Sequence, residues 1–576
     1  MGGEMTYLSP AEISEVDRQI DDGIPIDELK AIPRNVMVLA LLQQFEDFNR
    51  ITIPQLVGNG PGHHEKTKLI QDAMHFAMTW VYQYCAADVP ISSFPKSLTK
   101  HYIFAFHLIR IAENYSVAWD LLSLLRRGAL RAARSADSTI ILTRASEDTG
   151  AFEVSDSIIN GCDDPYDVPD NPFCGIKLAD LLSEAKVRKA SKHHIQYDFP
   201  STSFFRLQRS LDVHESRLFQ LEPSWEAGSY TFSDLRSFFV ALKAYCCIHS
   251  MICLQSHEVR VAGGGLADLI LCKRPSAWAN QMTRLCGLPF AKTKAIIDDL
   301  TFDPSLYLTG KKAHVCYQPF HALTENVLAL SNELVWVSNV ERNHWNLLEK
   351  LRPTLQSSLK NEKENTFIGG LKTELEKLGC RVSDRIRFYG ANDQLLGDID
   401  LLVLDERLKF GLVCEVKWFN APDRISEVAS CISQLKEAIA QVRTARTWAS
   451  DHRTALAQRL NLVEDYFDGW QIEGAVISKN FTGNGQARDI AIPIISERLL
   501  FWILRDPHQF HIRILWQTCV DRGYLPVLAG HYDEEDMTVD FNGVTLKAIN
   551  YGYKVLTPFD PSQDILLSDT TGGSES

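Results

Sequence analysis

The sequence predicts a multidomain chain of mixed class, α plus α/β: a helical N-terminal region followed by a domain in which helices and strands alternate. Three observations lead there. Over roughly the first 330 residues, apolar side chains recur every three or four positions, the spacing of a buried helix face. Between residues 146 and 174 the pattern gives way to a stretch rich in Asp, Gly, Pro and Asn, which reads as a long irregular connection. From about residue 355 to 506 the apolar period switches repeatedly between helix and strand. At 576 residues the chain can hold several domains with sizeable cores. The expected division is a helical domain over 1–140, an irregular connection over 141–175 and a mainly helical middle domain over 176–350. An α/β domain over 351–510, a small C-terminal extension over 511–559 and a disordered tail over 560–576 follow.

Taken in order, helices are expected over Val36–Phe48, Leu69–Ala87, Ile103–Ala133 and Phe232–Leu254. Asn332–Leu351 mixes Trp336 and Trp345 with charged residues, a composition suited to an interface joining the two halves. Phe367, Leu371, Leu375 and Leu378 recur at helical spacing and stop at Gly379. Cys380–Phe388 alternates like a strand. Leu396–Val403 and Leu412–Trp418 are two further strands, and the polar turn Asp405-Glu406-Arg407 can close them into a hairpin. Ile425–Trp448 is a long helix with Val428, Ile432, Leu435, Ile439 and Val442 as its stripe. An inserted helix around Thr454–Tyr466 precedes a strand over Ile472–Ser478, an apolar run over Ile490–Ile495 and a helix over Ser496–Arg505.

The hairpin carries the chemistry. Its positions are almost all Ile, Leu, Val, Cys or Trp except Asp398, Asp400, Glu415 and Lys417. Side chains alternate along an extended chain, so Asp398 and Asp400 are expected on one face, as are Glu415 and Lys417. Three carboxylates and one ammonium would then share a surface. Clustered carboxylates repel unless a cation neutralises them. Hard oxygen ligands point to Mg²⁺ or Mn²⁺, held by Asp400, Glu415 and the backbone carbonyl of Val416 with octahedral oxygen ligation. Lys417 can hold the attacking water or stabilise transition-state charge.

At these residues the chain resembles the PD-(D/E)xK phosphodiesterases, the restriction-endonuclease-like nuclease superfamily. Gly397-Asp398-Ile399-Asp400 is similar to the family's Gly-Glu-Ile-Asp strand, and Glu415-Val416-Lys417 to its Glu-x-Lys strand. The resemblance covers about residues 355–506, and the predicted element order is that of the superfamily's αβββαβ core. It implies that Asp400 and Glu415 are metal ligands, that Lys417 is the catalytic lysine, and that Asp398 matches an acidic position functional in many members. The first helix often supplies a further acid, for which Glu364 and Glu374 are candidates. The helix after the Glu-x-Lys strand often carries a Gln or Lys facing the site. Gln434 and Gln441 are seven apart and share a helix face. Neither is followed four residues on by Tyr, so the pattern of the recombination-type nucleases is not met.

The expected function is therefore a divalent-metal-dependent nuclease with a helical recognition or regulatory region. A bacterial restriction or antiviral defence effector is the nearest analogy. A catalytically silent nuclease-fold scaffold is the alternative, and the intact Asp400, Glu415 and Lys417 favour the enzyme. The expected partner is nucleic acid, DNA ahead of RNA, with self-assembly or an activating ligand or protein open. A net charge of −14 argues against a protein that coats nucleic acid, but residues 351–500 carry about 20 basic against 21 acidic side chains. Lys436, Arg443, Arg446, Arg453 and Arg459 could contact phosphates, as could a helical cluster of Arg126, Arg127, Arg131 and Arg134.

The 13 cysteines are scattered with no Cys-x-x-Cys pair, which suits a reducing cytoplasm. Cys246, Cys247, His249, Cys253 and His257 are close in sequence, but their apolar surroundings read as a buried helix before a zinc site. No secretory signal is expected at the start, and no apolar run of membrane-spanning length is expected. Gly263-Gly264-Gly265 lacks the following Lys-Ser/Thr of an NTPase phosphate loop.

Overall fold

The computed structural model describes residues 6–553 apart from 50–62, 96–97, 136–137, 146–177, 192–193, 217–218, 256–269, 309–313, 337, 391, 423–424, 484–486, 488, 490, 505–510 and 522–531. Of the irregular connection expected over 141–175, the first residues instead belong to a strand, Ile140–Arg144, because Ile140 and Leu142 are buried in the sheet it joins; the connection from residue 146 on, the three-glycine run, His257 and the tail lie outside the described residues.

The first half runs β1 (Thr6–Tyr7), α1 (Pro10–Asp21), α2 (Ile26–Lys30), α3 (Arg34–Asn49), α4 (His63–Tyr84), α5 (Thr99–Arg126), β2 (Leu130–Arg134), β3 (Ile140–Arg144), α6 (Leu178–Ala185), β4 (Val187–Ser191), β5 (His194–Tyr197), α7 (Ser201–Ser216) and α8 (Phe232–Gln255). It continues through β6 (Ile270–Lys273), α9 (Pro275–Cys286), α10 (Phe290–Asp299), α11 (Ser305–Leu308), β7 (Phe320–Thr324), β8 (Val327–Ser331), α12 (Asn332–Trp336) and α13 (Val340–Leu351). The region is rich in helix, but it is not only helical. β6, β8 and β7 form one sheet, and β4 and β5 pair as a hairpin.

The expected helix over Ile103–Ala133 is too long. α5 ends at Arg126, Arg127 caps it, and Gly128 turns the chain with φ +73, a conformation that costs glycine little. β2 follows at once. The four arginines are therefore split between a helix end and a strand, and Arg126 is already paired with Asp17.

Beyond α13 come α14 (Pro353–Lys377), β9 (Arg381–Tyr389), β10 (Leu395–Asp405), β11 (Phe410–Trp418), α15 (Ile425–Asp451), α16 (Arg453–Arg459), β12 (Gln471–Lys479), β13 (Ile494–Ser496), α17 (Glu497–Ile503) and α18 (Ile512–Asp521). The inserted helix is shorter than expected, seven residues ending at Arg459. The five strands form a mixed sheet in the order β13-β12-β11-β10-β9. β9, β10 and β11 are antiparallel neighbours, while β12 lies parallel to β11 and β13 to β12.

Helices cover both faces of this sheet, which is why its strands are nearly continuously apolar. On one face Phe367, Leu371 and Leu375 of α14 pack with Leu401, Val403, Leu412, Cys414 and Val416, joined by α17 and α18. On the other face Leu435, Ile439 and Val442 of α15 pack against Val476 and Ile494, and Trp448 packs beside Leu402, Leu404 and Val413. α15 sits very close to β12 at Gly474, where an added Cβ would lie 2.5 Å from Val442 Cγ1.

The last two strands, β14 (Tyr532–Phe541) and β15 (Val544–Tyr553), do not stand apart as an extension. They complete a five-stranded sheet, β1-β2-β3-β15-β14, with β15 parallel to β3. Their Val539, Phe541, Val544 and Leu546 share a core with α3, α4 and α5.

α8 is buried through the middle core, its neighbours including Trp278, Phe320 and Trp345. Among the described residues Phe232–Cys253 is the one stretch long and apolar enough to cross a membrane, which the sequence reading did not expect, and most of it is buried inside the molecule. Cys246, Cys247 and Cys253 are buried there, and His249 Nδ1 lies 2.9 Å from the Tyr197 hydroxyl. Among the described residues no three His, Cys, Asp or Glu side chains are grouped to hold a metal.

Candidate functional site

β10 and β11 pair from Asp405↔Phe410 to Leu401↔Cys414, closed by a turn over residues 406–409. Beyond Cys414 the regular pairing stops. There the Val416 N–H, which would otherwise pair with β10, donates to Asp400 Oδ2 at 2.8 Å. An antiparallel residue directs its N–H and C=O to the same side, so the Val416 carbonyl faces the same gap. Glu415 and Lys417 are two apart on β11, and Lys417 Nζ lies 2.7 Å from Glu415 Oε1. Both are largely buried, with side-chain exposures of 10% and 19%.

The electrostatics follow from burial. Burial, followed by the neighbouring Asp400 charge, pushes the Glu415 carboxyl up to about 7 against the pull of Lys417. Burial also raises Asp400. The Val416 N–H and Lys417 oppose that rise, and Asp398 and Glu364 add to it. For Lys417 burial works against the charge, but Glu415, Asp400 and Glu364 outweigh it and hold the ammonium above its ordinary value. This end of the hairpin thus holds more negative charge than Lys417 balances.

Asp398 is exposed, and its charge reaches both Asp400 and Glu415. The plain alternation expected to put Asp398 and Asp400 on one face is interrupted. Leu402 and Leu404 face α15 while Leu401 and Val403 face α14, yet Ile399 also joins the α15 side. Across the ladder, Arg385 takes φ +54, and the β9–β10 pairing passes from Ile399↔Ile386 to Leu401↔Asp384 without joining Asp400 to Arg385. The sheet kinks where the acid sits.

Glu364 lies half-buried on α14, close enough to act on the charges of Asp400 and Lys417. Glu374 pairs with Lys377 at 2.6 Å on an exposed stretch of the same helix. Gln434 is half-buried on α15 and lies 3.5 Å from Ser430 Oγ, while Gln441 is exposed. Nothing joins either glutamine to Asp400, Glu415 or Lys417 by a hydrogen bond. Most of the basic residues expected to reach phosphates are engaged elsewhere. Arg443 pairs with Asp489, Arg446 with Glu473, Arg453 donates to the Phe467 carbonyl, and Arg459 lies over the Tyr389 ring.

Sequence reasoning missed Lys363. It is 3% exposed, lies 4.9 Å from the rings of both Trp345 and Trp418, and donates to Asn420 Oδ1 at 2.6 Å. Burial pushes its ammonium down to about 7. Lys479, at the end of β12, lies 4.7 Å from the Trp418 ring. A signal for Lys363 was present: Leu359, Lys363, Phe367, Leu371 and Leu375 are four apart, so the lysine falls within the apolar stripe.

α13 connects this unit to the preceding one, as Asn332–Leu351 was expected to. Glu341 accepts from the Gln220 and Leu221 N–H groups at 2.6 and 2.8 Å and pairs with Arg236. Arg342 donates to the Ala421 carbonyl at 2.8 Å and pairs with Glu427.

In comparisons with family models, with curated proteins and with solved structures, nothing matches the chain.

Proposed function

We propose that the chain is a divalent-metal-dependent nuclease whose restriction-endonuclease-like domain spans α14 to α17 and hydrolyses nucleic-acid phosphodiester bonds at Asp400, Glu415 and Lys417. The observation that carries this is the meeting of a buried acid, a half-buried acid and a half-buried lysine where β10 and β11 part, in a unit ordered helix, three strands, two helices, two strands, helix.

The donor set fits a hard cation. Asp400 and Glu415 supply carboxylate oxygens and Val416 a carbonyl, and Mg²⁺ commonly needs only one or two carboxylates beside water and substrate phosphate. The upward shifts of both acids come first from burial and then from neighbouring carboxylate charge, and a bound cation would relieve both. Bound Mg²⁺ or Mn²⁺ would supply a more acidic water and charge neutralisation at the phosphoryl group. The chain's own residues do the rest. The Val416 N–H fixes Asp400, and Glu415 fixes Lys417. The ammonium then stands ready to orient water or to balance charge that grows in the transition state. Glu364 and Asp398 would adjust the field.

The silent-scaffold alternative treats Glu415–Lys417 as an ordinary ion pair. Incubating the protein with plasmid, linear duplex, single-stranded DNA and RNA, each with Mg²⁺, Mn²⁺ or chelator, separates the two. The nuclease reading expects metal-dependent cleavage of at least one substrate, with DNA the first choice. No cleavage of any substrate with either metal favours the scaffold.

A further inference from the structure

We infer that Arg385 and Arg387 on the edge strand β9 form a rail for the phosphate backbone of a nucleic-acid strand, holding the phosphates beside the one presented to the hairpin acids. This deepens the nuclease reading and rests on it.

The rail is read from position and from charge left uncommitted. β9 is the last strand of its sheet, so its outer side has no neighbouring strand among the described residues. Arg387 is the cross-strand partner of Asp398, and Arg385 sits level with Asp400, between the pairs Ile399↔Ile386 and Leu401↔Asp384. Both arginines are exposed. Neither makes an ion pair or side-chain hydrogen bond among the described residues, and Arg387 does not close onto the Asp398 opposite it. Several other arginines of this unit are committed, while Arg407, exposed at the far turn of the hairpin, lies away from the acids. Arg381 reaches Glu406 at 3.6 Å, and Arg443, Arg446, Arg453 and Arg459 are held as described above. Two arginines free to meet an anion thus stand beside the acids.

The chemistry selects phosphate. A guanidinium presents a planar fork that matches two phosphate oxygens. Residues two apart on a strand are about 7 Å apart, which suits successive phosphates of one strand. The net charge of −14 gives no long-range attraction for a polyanion, so a local basic rail is needed where the acids would otherwise repel it. The backbone at Arg385 adds to this. A left-handed conformation at a residue with a Cβ costs about 1 kcal/mol, and such strain collects at working sites.

The test uses full-length protein carrying Lys417→Ala, so that nucleic acid is bound without being cut. Anisotropy of fluorescein-labelled single-stranded and duplex oligonucleotides is followed with Mg²⁺ over a salt series. Adding Arg385→Gln and Arg387→Gln together should weaken binding and lower the slope of log K against log salt by roughly 1.4 to 1.8, the loss of two phosphate contacts. Arg385→Lys with Arg387→Lys should keep most of the slope, which shows that charge and not folding is being read. Arg407→Gln, an exposed arginine at the far turn of the hairpin, should leave it unchanged. A Gln pair that folds, binds and keeps the full slope overturns the rail and leaves the nuclease reading standing. If neither the Lys417→Ala protein nor the wild type binds any oligonucleotide, both fall.

Discussion

Buried charge has to be held by something, and this chain holds it differently in its two halves. Around the hairpin, one lysine and one N–H hold two acids. In the first half, Glu46 is fully buried on α3, its Oε1 accepting from Ser331 Oγ at 2.7 Å and from the Glu333 N–H at 3.1 Å. No cation pairs with it among the described residues. Burial pushes Glu46 up to about 7, with the charge of Asp47 adding to the shift, and burial raises Glu333 well above its ordinary range, with the charge of Glu46 adding to it. The folded chain therefore keeps protons that the unfolded chain releases above its ordinary value of 4.5. That contribution to stability is complete below this value and is lost as pH rises through about 7. Glu46→Gln keeps the accepting oxygen and removes the charge. It should be more stable than wild type at about pH 8, by up to about 3 kcal/mol, with the advantage gone near pH 4. Urea unfolding at the two pH values reads this, and a variant whose relative stability does not change between them contradicts it. Lys363 has the opposite sign. Its lowered value penalises the folded state as pH falls from its ordinary 10.5 towards about 7.

At the scale of the element, the helix–sheet seam is set by one missing side chain. Gly474 lets α15 approach β12 until Val442 fills the space a Cβ would occupy. Gly474→Ala should destabilise the protein by about 1 to 3 kcal/mol, the usual cost of forcing atoms into a packed core. Thermal unfolding tests this, with Gly474→Ala/Val442→Ala expected to recover part of the loss. The seam was legible in part. The stripe from Val428 to Val442 and the run Ile472–Ser478 mark helix and strand, because period and apolar content agree there. What could not be read was the pairing of elements far apart in sequence. β2 looked like more of α5 because its Leu and Ala residues extend the helical spacing, and only Gly128 marks the stop. β3 pairs with β15, some 400 residues away, and no local pattern records such a partner. In the site, the acids and Lys417 stood out because charges interrupt apolar strands. The kink at Asp400 and the committed arginines depend on cross-strand neighbours, which spacing does not specify.

At the scale of the molecule, the chain's end secures its beginning. Phe541 of β14 lies edge-on to Tyr115 of α5, with ring centroids 5.9 Å apart, and Val539, Val544 and Leu546 fill the same core. A chain stopped after Asp521 should unfold at lower temperature, with proteolysis beginning within the first 145 residues. Cleavage confined to residues after 351 would contradict this. Through α13 that first half reaches the site unit. In the proposed nuclease, Asp400, Glu415 and Lys417 act as one metal-dependent catalytic group. The most direct measurement compares wild type with Lys417→Ala on whichever nucleic acid the wild type cuts in Mg²⁺ or Mn²⁺, with near-UV circular dichroism showing that both are folded. A fall of about 10²-fold or more in cleavage rate is predicted, since loss of a group that stabilises transition-state charge costs that much. A folded Lys417→Ala protein cutting at the wild-type rate would place the chemistry elsewhere.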